Sequence, residues 1–381
     1  MYSNFWYPLE RSEKITTDEP LRIDLLGMGF VTFRDGEGIA HVLADTCVHR
    51  GGSLSNGQIK NGRVACPYHG WEFDGNGKCA KVPSLGDKKI PARAKVDSYP
   101  VQERYGIVFA FLGDLPEEER PPLYDIEEYG SKKWRSQLYV LNIDCNYERS
   151  IENGLDPIHN EFVHPSQGAP SLSMDYQSGG VPTEDIPYGV KFYLPYPNKV
   201  STDTKLESAK TGKKVGASGS WVQGPNQVVT WIDLTAENSF HQYIFEAPVD
   251  DSHTRIFFLN MRSWLLDEEH DMRIEKPTMT VVDEDINILE KLRPIRTPVT
   301  NTKEIMVPGD AVIMRYRELL SEWDAKGWRI DYKRLQQERD DIAFAIPCPE
   351  RRSSKNWVLD AIPLQPGGDQ ALNRRKSSSA A

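Results

Sequence analysis

The sequence predicts an α+β protein of two domains, a small all-β domain followed by a larger domain of mixed strands and helices. The chain has 381 residues, whereas a single hydrophobic core usually stops growing near ~250 residues. Short strand-like runs separated by glycine turns fill residues 20–115, and no helix-length amphipathic pattern occurs there. Beyond an acidic, proline-broken stretch at 116–122, strand-like and helical patterns are mixed.

The domain boundaries follow from this change of pattern. We expect the all-β domain at 1–115, the mixed domain at 116–365 and a disordered tail at 366–381. Strands bounded by turn residues are predicted at 29–33, 107–111, 227–231 and 254–259. Helices are predicted at 147–164, 277–293 and 311–327. A polar stretch at 199–220 is expected to be a mobile lid or a disordered loop.

Composition and charge argue against several classes of protein. The chain has 46 basic and 56 acidic residues, and the net charge of −10 argues against binding to nucleic-acid phosphates. No run approaches the ~18 consecutive apolar residues of a membrane helix, so we expect no membrane span. The N-terminal residues lack the features of a signal peptide, and five cysteines favour thiols or metal ligands over a disulfide framework. We therefore expect a cytoplasmic protein.

The first candidate metal site combines two thiols and two imidazoles on short turns. Cys47-x-His49 is followed, after sixteen residues, by Cys66-x-x-His69. Two arrangements are compatible with these residue types. All four side chains could hold one tetrahedral zinc ion, or the two cysteines could bind one iron and the two histidines the other iron of a [2Fe-2S] cluster.

A second group of candidate ligands lies on a predicted helix. Asp156 and His159 are three residues apart and share one helix face, and His164 can reach the same point if the helix ends there. Two histidines and one carboxylate on an octahedral face leave open positions for O₂, which is the geometry of non-haem Fe(II) oxygenases. Beside this face runs an apolar stripe formed by Ile151, Leu155, Ile158 and Phe162.

The carboxylate ligand is expected on a later helix. Helical spacing places Asp285 among Val281, Val282, Ile288, Leu289 and Leu292. A carboxylate on an apolar stripe is costly unless its charge is compensated, and a ferrous ion would compensate it. Asp285 is therefore the preferred ligand, with Asp283 as the alternative.

These motifs together resemble the Rieske non-haem iron oxygenases, in particular the catalytic α subunit of the compact type without a β subunit. The resemblance rests on the glycine-flanked C-x-H and C-x-x-H loops, the E-N-x-x-D-x-x-H-x₄-H segment at 152–164 and the E-D-I-x-I-L segment at 284–289. It implies a Rieske [2Fe-2S] cluster on Cys47, His49, Cys66 and His69 and a mononuclear Fe(II) on His159 and His164. It further implies a helix-grip catalytic domain, in which helices wrap an antiparallel sheet.

The resemblance also implies a reaction and partners. O₂ is the co-substrate, and an apolar aromatic, terpenoid, steroid or alkaloid-like small molecule is hydroxylated, dihydroxylated or oxidatively demethylated. Electrons come from a separate NAD(P)H-dependent reductase, with or without a ferredoxin. The family pattern implies a homotrimer in which Asp156 bridges His159 to His69 of a neighbouring chain. The alternative function is a Rieske electron-transfer protein with an appended ligand-binding domain.

Overall fold

The structure is a computed structural model that describes residues 1–164, 180–195, 217–234 and 237–372. The chain divides into two compact units, one made of 1–123 and 327–366 and the other of 124–326 and the segment from 367 onwards. The predicted α+β class is confirmed, because strands dominate the N-terminal part and helices accompany a large sheet in the second unit.

The N-terminal part of the first unit consists of short antiparallel strands. They form three sheets, in the orders β1-β10-β9, β2-β3-β4 and β5-β6-β7-β8. Cys47 follows the β2-β3-β4 sheet and Cys66 lies within the β5-β6-β7-β8 sheet segment, and both side chains are in a hydrophobic core with Val31, Phe33 and Phe73. The strands are β1 (Phe5–Arg11), β2 (Leu21–Leu25), β3 (Met28–Arg34), β4 (Ala40–Ala44), β5 (Gln58–Lys60), β6 (Arg63–Ala65), β7 (Glu72–Phe73), β8 (Cys79–Lys81), β9 (Val101–Arg104) and β10 (Ile107–Leu112).

The second unit is built on one antiparallel sheet of seven strands in the described residues, in the order β11-β17-β16-β15-β14-β13-β12. Ile244 and Phe258 pack on Val282 and Ile286 of α3, and we call this side of the sheet the helix face. The elements are β11 (Arg135–Ile143), α1 (Tyr147–Leu155), α2 (Asn160–Val163), β12 (Thr183–Ile186), β13 (Gly189–Pro195), β14 (Ala217–Gln223), β15 (Gln227–Asp233), β16 (Ser239–Pro248), β17 (Thr254–Arg262), α3 (Asp271–Leu289) and α4 (Ala311–Ala325).

After α4 the chain returns to the first unit at residue 327, whereas we expected the second domain to continue to residue 365. Asp97 is fully buried and accepts two hydrogen bonds from Arg351, at 2.6 and 2.7 Å. The Tyr99 hydroxyl donates to the carbonyl of Ile346 at 2.7 Å. A buried carboxylate needs such a cation, and the sequence pattern could not locate it 254 residues away. The returning elements are α5 (Tyr332–Glu338), β18 (Phe344–Ala345), α6 (Glu350–Ser353) and β19 (Asp360–Ala361), and α7 (Asp369–Leu372) follows in the second unit.

The predicted helix at 147–164 is two helices in the structure. Asp156 follows α1 with extended dihedral angles, φ −85° and ψ 111°. The cause is Pro157, which disfavours the helical conformation of the residue before it. The predicted helix at 311–327 agrees with α4 to within two residues. The predicted helix at 277–293 corresponds to α3, which begins earlier, at Asp271. The cause is that Ile274 is buried against Phe240 and Trp264.

Two predicted regions lie largely outside the described residues. They are the polar stretch at 199–220, of which only 217–220 is described, as part of β14, and the tail at 366–381, which is described only as far as 372. Across the described ranges, none of the helices combines the length and apolar character needed to cross a membrane.

Two candidate metal centres

Two loops of the first unit present the predicted cluster ligands with matching backbone geometry. In one loop the amide of Gly51 donates to the carbonyl of Cys47 at 2.9 Å, and in the other the amide of Gly70 donates to the carbonyl of Cys66 at 2.9 Å. Both glycines have left-handed dihedral angles, with φ 71° and 69°. Only glycine adopts this conformation at low cost, so each loop turns sharply after its histidine.

The two thiols are buried in one core. Cys47 is 2% exposed and Cys66 4% exposed, and a Cβ atom at Gly52 would lie only 3.0 Å from the sulfur of Cys66. Burial raises the pKa of the Cys47 thiol to about 12, and the neighbouring Cys66 contributes to this increase. A thiol with such a raised pKa becomes a thiolate only beside strong positive charge, which iron ions would supply.

The two imidazoles complete the loops. The ring centroids of His49 and His69 are 4.4 Å apart, and His49 stacks on Trp71 at 4.6 Å. The Nδ1 atom of His49 is buried and has no hydrogen-bond partner among the described residues. Burial, the neighbouring His69 and Arg50 all lower the pKa of His49 and favour the neutral ring that binds metals. These residues therefore fit a metal cluster.

The arrangement of donors distinguishes a cluster from a single zinc ion. Among the described residues, one group of at least three donor side chains has all its ligand atoms within 4.8 Å of one another. Cys47, His49, Cys66 and His69 are not members of that group. A tetrahedral zinc ion would gather all four donors around one point. In a [2Fe-2S] cluster the two cysteines bind one iron and the two histidines bind the other, so the four donors need not converge on one point. The loops therefore fit a [2Fe-2S] cluster better than a single zinc ion.

The group of three close donors is His159, His164 and Asp285. The Nε2 atoms of His159 and His164 lie 3.5 and 3.3 Å from the Oδ1 atom of Asp285. His159 precedes α2, His164 follows it, and Asp285 lies on α3, so the turn at Pro157 and the packing of two segments bring them together. Asp283, the alternative ligand, is not part of this group. Two imidazoles and one carboxylate converging on one point fit a mononuclear ferrous ion.

Three further contacts orient these side chains, and two of them come from residues that the sequence did not identify. The Nδ1 atom of His164 donates to Glu284 at 3.1 Å, and the Nδ2 atom of Asn153 donates to Asp285 at 3.0 Å. The Nδ1 atom of His159 donates to the carbonyl oxygen of Asp156 at 2.6 Å. Hydrogen bonds at Nδ1 leave both Nε2 lone pairs for a metal. The position of Asn153 in the E-N-x-x-D motif could have identified it, whereas no sequence signal distinguished Glu284 from its acidic neighbours.

Electrostatics also favour a cation at this point. Burial alone would raise the pKa of the Asp285 carboxyl, but hydrogen bonds and charges from His159 and His164 outweigh it and lower that pKa. Burial would lower the pKa of His164, but Asp285 and Glu284 raise it. A positive charge between these groups is thus stabilised, and the residues fit the iron that the sequence implies.

The Asp156 carboxylate makes a different contact from the one expected. It accepts a hydrogen bond from the amide of Ile158 at 2.7 Å, whereas His159 bonds to the Asp156 carbonyl oxygen. The expected bond from His159 to this carboxylate is therefore absent from the structure. The reason is local, because a short acidic side chain readily accepts from the amide two residues later in a turn.

A buried lattice of two arginines and two glutamates holds α1 against α4. Arg317 of α4 donates to both carboxylate oxygens of Glu152, at 2.6 and 2.8 Å, and to Glu304 at 2.7 Å. Arg149 lies 2.8 Å from the other oxygen of Glu304. Because Glu152 and Arg149 are on α1, the lattice fixes the helix that precedes the candidate histidine ligands.

A row of polar side chains crosses the helix face of the sheet. Asn260 is 3% exposed, and neither its Nδ2 nor its Oδ1 atom has a hydrogen-bond partner in the described part of the chain. A buried unpaired amide costs about 1–3 kcal/mol, so water or a polar group of a bound molecule is the expected partner. In strand register the row is Gln137, Asn260, Gln242, Thr230 and Ser220.

Trp221, Trp231 and Phe245 lie on the side of the sheet opposite the polar row. Trp231 is opposite His241 and Trp221 is opposite Val229, and these residues alternate with those of the helix face. Phe245 follows Ile244 and therefore also lies on the other side of the sheet. Side chains that alternate along a strand cannot share a pocket, and the sequence alone did not fix this register.

Comparisons with known proteins match both parts of the chain in which the candidate centres lie. The family model of the Rieske [2Fe-2S] domain matches residues 5–100, and that of the vanillate O-demethylase oxygenase C-terminal domain matches residues 143–326. The 4beta-methylsterol monooxygenase of Methylococcus capsulatus is 26% identical over 268 residues, which cover 68% of this chain and 68% of that protein.

A more distant likeness extends to solved structures. Pseudomonas putida CBB5 NdmA with caffeine has the same fold, with a TM-score of 0.69 at 23% identity over 85% of this chain and 91% of that one. Protein TIC 55 of Arabidopsis thaliana is 33% identical over 162 residues, which are 42% of this chain. That match spans only 30% of the length of TIC 55.

Proposed function

The chain belongs to the Rieske non-haem iron oxygenases, and from this premise we propose that it is the oxygenase component of a Rieske oxygenase system. It uses O₂ and electrons from a separate NAD(P)H-dependent reductase to oxidise a small molecule. The observation that carries the proposal is the convergence of His159, His164 and Asp285 within 4.8 Å. A Rieske electron carrier would need only the four cluster ligands and would leave this second group without a use.

Each group of residues has a distinct task. When bound, the cluster would supply electrons one at a time and the ferrous ion would supply O₂ binding and activation. Glu284 and the Asp156 carbonyl hold the two imidazoles with their Nε2 atoms toward the metal. Asn153 fixes one oxygen of Asp285. These contacts set the ligand geometry before substrate arrives.

The substrate we propose has an apolar skeleton with one polar group. Apolar residues such as Phe240, Ile244 and Phe258 flank the polar row on the helix face, and Asn260 can both donate to and accept from a carbonyl, amide or hydroxyl group. The relatives act in the same range, as the names methylsterol monooxygenase and vanillate O-demethylase indicate, and NdmA was solved with caffeine. Hydroxylation and oxidative demethylation are the reactions we favour.

The first experiment counts iron and follows oxygen. The reconstituted protein should hold about three irons per chain, two in the cluster and one at the triad, whereas an electron carrier would hold about two. Reduced protein is then given ¹⁸O₂ with vanillate, caffeine or a 4-methylsterol. An ¹⁸O-labelled product or labelled formaldehyde would support the oxygenase. Two irons and no O₂-dependent product from any of these compounds would leave the electron carrier as the better function.

We also propose that the protein is a cytoplasmic homotrimer in which Asp156 bridges the two centres, with its carbonyl oxygen accepting from His159 and its carboxylate accepting from His69 of a neighbouring chain. Support comes from the position of Asp156, whose backbone already contacts His159 while its carboxylate lies at the end of α1. Asp156→Asn keeps the size of the side chain and removes its charge. In iron-replete protein, oxidation of the cluster in a single turnover should slow by orders of magnitude.

The control for this variant is the metal content. Both metals must be present before rates are compared, because loss of the charge could also weaken the nearby iron. Near-normal single-turnover rates in iron-replete Asp156→Asn would remove the bridge from the mechanism. Sedimentation of the wild-type protein as a monomer would remove the trimer.

A further inference from the structure

The helices that lead to the candidate iron ligands contact the sheet along one row of apolar side chains. Val228, Ile244 and Phe258 are cross-strand neighbours on the helix face, and we call them the contact row. A Cβ atom at Gly154 of α1 would lie 3.2 Å from Val228. Ile244 and Phe258 pack on α3, which carries Asp285. The contact row therefore marks the part of the sheet that faces the triad.

The polar row runs beside the contact row on the same three strands. Its members Thr230, Gln242 and Asn260 are cross-strand neighbours, and each lies two residues from a member of the contact row. Side chains two residues apart in a strand point to the same face and are about 7 Å apart. A ligand whose polar group lies on the polar row can thus extend its skeleton toward the triad.

Apolar side chains also border the polar row on its other side. Ile232 and Phe240 lie two residues further along their strands and form a cluster with Trp264 and Ile274. The apolar packing between α3 and the sheet is therefore divided into two clusters, and the polar row lies between them. A molecule bound there meets apolar surface on both sides of its polar group.

Asn260 differs from its neighbours in the polar row because its hydrogen-bonding groups are unused. Gln137 accepts a hydrogen bond from Arg262 at 2.6 Å, and the hydroxyl groups of Thr230 and Ser220 are 3.3 Å apart. Asn260 is 3% exposed, yet both its Nδ2 and its Oδ1 atoms lack a hydrogen-bond partner within the described ranges. The row thus offers a ligand one donor and one acceptor side by side.

The cation beside this amide is already neutralised by the protein. Arg262 follows Asn260 by two residues and is 2% exposed. Its guanidinium donates to the carbonyl of Leu265 at 3.0 Å, to Gln137 at 2.6 Å and to Asp271 at 2.6 Å. Burying a ligand carboxylate beside a guanidinium that is fully engaged is costly, so the site favours a neutral polar group.

We propose that Asn260 determines substrate specificity by binding a neutral group in which an N–H stands beside a C=O, as in a lactam, an imide or a primary carboxamide. This inference rests on the proposed function and names the substrate class of the same site. Such a group accepts from Nδ2 and donates to Oδ1 at once. A carbonyl alone leaves Oδ1 buried without a partner, which lowers affinity. The carbon to be oxidised then lies on the triad side of the molecule, opposite the amide edge.

The experiment measures binding rather than turnover. Calorimetry is carried out on the oxidised holoprotein, which lacks the electrons for the reaction. The probes are three bicyclic molecules of similar size: 2-quinolinone, which has an N–H beside its C=O, coumarin, in which an oxygen replaces that N–H, and the anion 2-naphthoate. The wild-type protein should bind 2-quinolinone about tenfold or more tightly than either of the others, because only this probe satisfies both amide atoms.

Two variants on β17 separate recognition from stability. Asn260→Leu has a similar size and removes both amide atoms, so 2-quinolinone and coumarin should bind within about twofold of each other. Its Tm should equal or exceed that of wild type, because no hydrogen bond within the protein is lost. The control is Thr254→Val on the same strand, whose hydroxyl donates to the carbonyl of Cys145 at 2.8 Å. This variant should have a lower Tm and an unchanged preference for 2-quinolinone.

Several outcomes would overturn this assignment. Among the wild-type results they are equal affinity for 2-quinolinone and coumarin, tighter binding of 2-naphthoate, and no binding of any probe up to ~1 mM. A preference that persists in Asn260→Leu would assign recognition to another residue. A loss of Tm in Asn260→Leu as large as that in Thr254→Val would mean that the amide has a partner within the protein. Binding to oxidised protein needs neither O₂ nor electrons, so failure of recognition is distinguishable from failure of the oxygenase function, which ¹⁸O₂ incorporation tests separately.

Discussion

The two candidate metal centres differ in how their side chains are brought together. The cluster donors lie on two short loops within residues 47–69, and each loop is closed by its own backbone hydrogen bonds. In the second centre, His164 and its partner Glu284 are 120 residues apart, and they meet because α2 and α3 pack on each other. The first centre is mainly local in sequence, and the second depends on tertiary structure.

This difference shows what each centre needs in order to persist. A local site keeps its geometry while its loops and the small core beneath them are intact. A tertiary site requires every contact that sets the helix positions, including the buried lattice of Arg317, Glu152, Glu304 and Arg149. Changes to the second unit should therefore affect iron at the triad without changing the cluster, and the reverse should also hold.

The largest effect is expected for Cys47→Ser. Loss of one thiolate should abolish the cluster and its visible absorption, and it should lower the stability of the first unit because metal binding contributes to folding. Cys79→Ser is the matched control, since Cys79 is a buried thiol of the same core but not a predicted ligand. Visible absorption and thermal unfolding measure both effects, and a coloured Cys47→Ser protein would contradict the cluster assignment.

Asp285→Ala tests the tertiary centre. We expect loss of the triad iron and of all turnover, with the cluster spectrum unchanged, because two imidazoles alone hold Fe(II) weakly. Asp283→Ala, a carboxylate two residues away that is not part of the triad, should retain iron and most activity. Iron analysis with absorption spectroscopy checks this, and reversed results for the two variants would mean that the ligand is Asp283.

Arg317→Gln tests whether the buried lattice supports the tertiary centre. Removing the guanidinium takes a counter-ion away from the carboxylates of Glu152 and Glu304. The free energy of unfolding of the second unit should therefore fall by about 3–5 kcal/mol. Arg315→Gln on the same helix breaks only partly exposed pairs and should cost about 1 kcal/mol or less. Denaturant unfolding measures stability, and iron titration should show weaker binding at the triad in Arg317→Gln alone. Equal losses in the two variants would mean that the lattice has no special role.

The last effect depends on pH and concerns Glu246 beneath α1. Burial raises the pKa of Glu246 to about 8, although a hydrogen bond from Ser150 at 2.6 Å lowers it. In the unfolded chain the pKa is about 4.3, so the folded protein keeps a proton that the unfolded chain releases between about pH 4.5 and pH 8. The free energy of unfolding should therefore fall across this window by up to about 5 kcal/mol.

Glu246→Gln removes the titration and should remove that part of the pH dependence. The variant should be more stable than wild type near pH 8 and similar to it near pH 5. Denaturant unfolding at both pH values is the measurement, with the exposed Glu268→Gln as control. Parallel pH profiles of wild type and Glu246→Gln would mean that Glu246 is ionised in the folded protein.

The sequence by itself determined the features that depend on short-range spacing. The order of an all-β part before a mixed part, the helix predicted at 311–327 and observed at 311–325, and the pairing of each candidate cysteine with a histidine all follow from neighbours within a few residues. The helical period also placed Asp285 rather than Asp283 on the side of α3 that the structure brings to His159 and His164. Their roles as metal ligands stay predictions until iron is measured.

Tertiary structure decided the features that join distant segments. The return of residues 327–366 to the first unit, the contact of Glu284 with His164 and the side of the sheet on which Trp221 and Trp231 lie were not fixed by any local pattern. Helix and strand periods specify which residues share a face, because covalent geometry repeats along the chain. Which faces meet depends on the sum of many weak contacts between segments far apart in sequence, and that sum exists only in the folded protein.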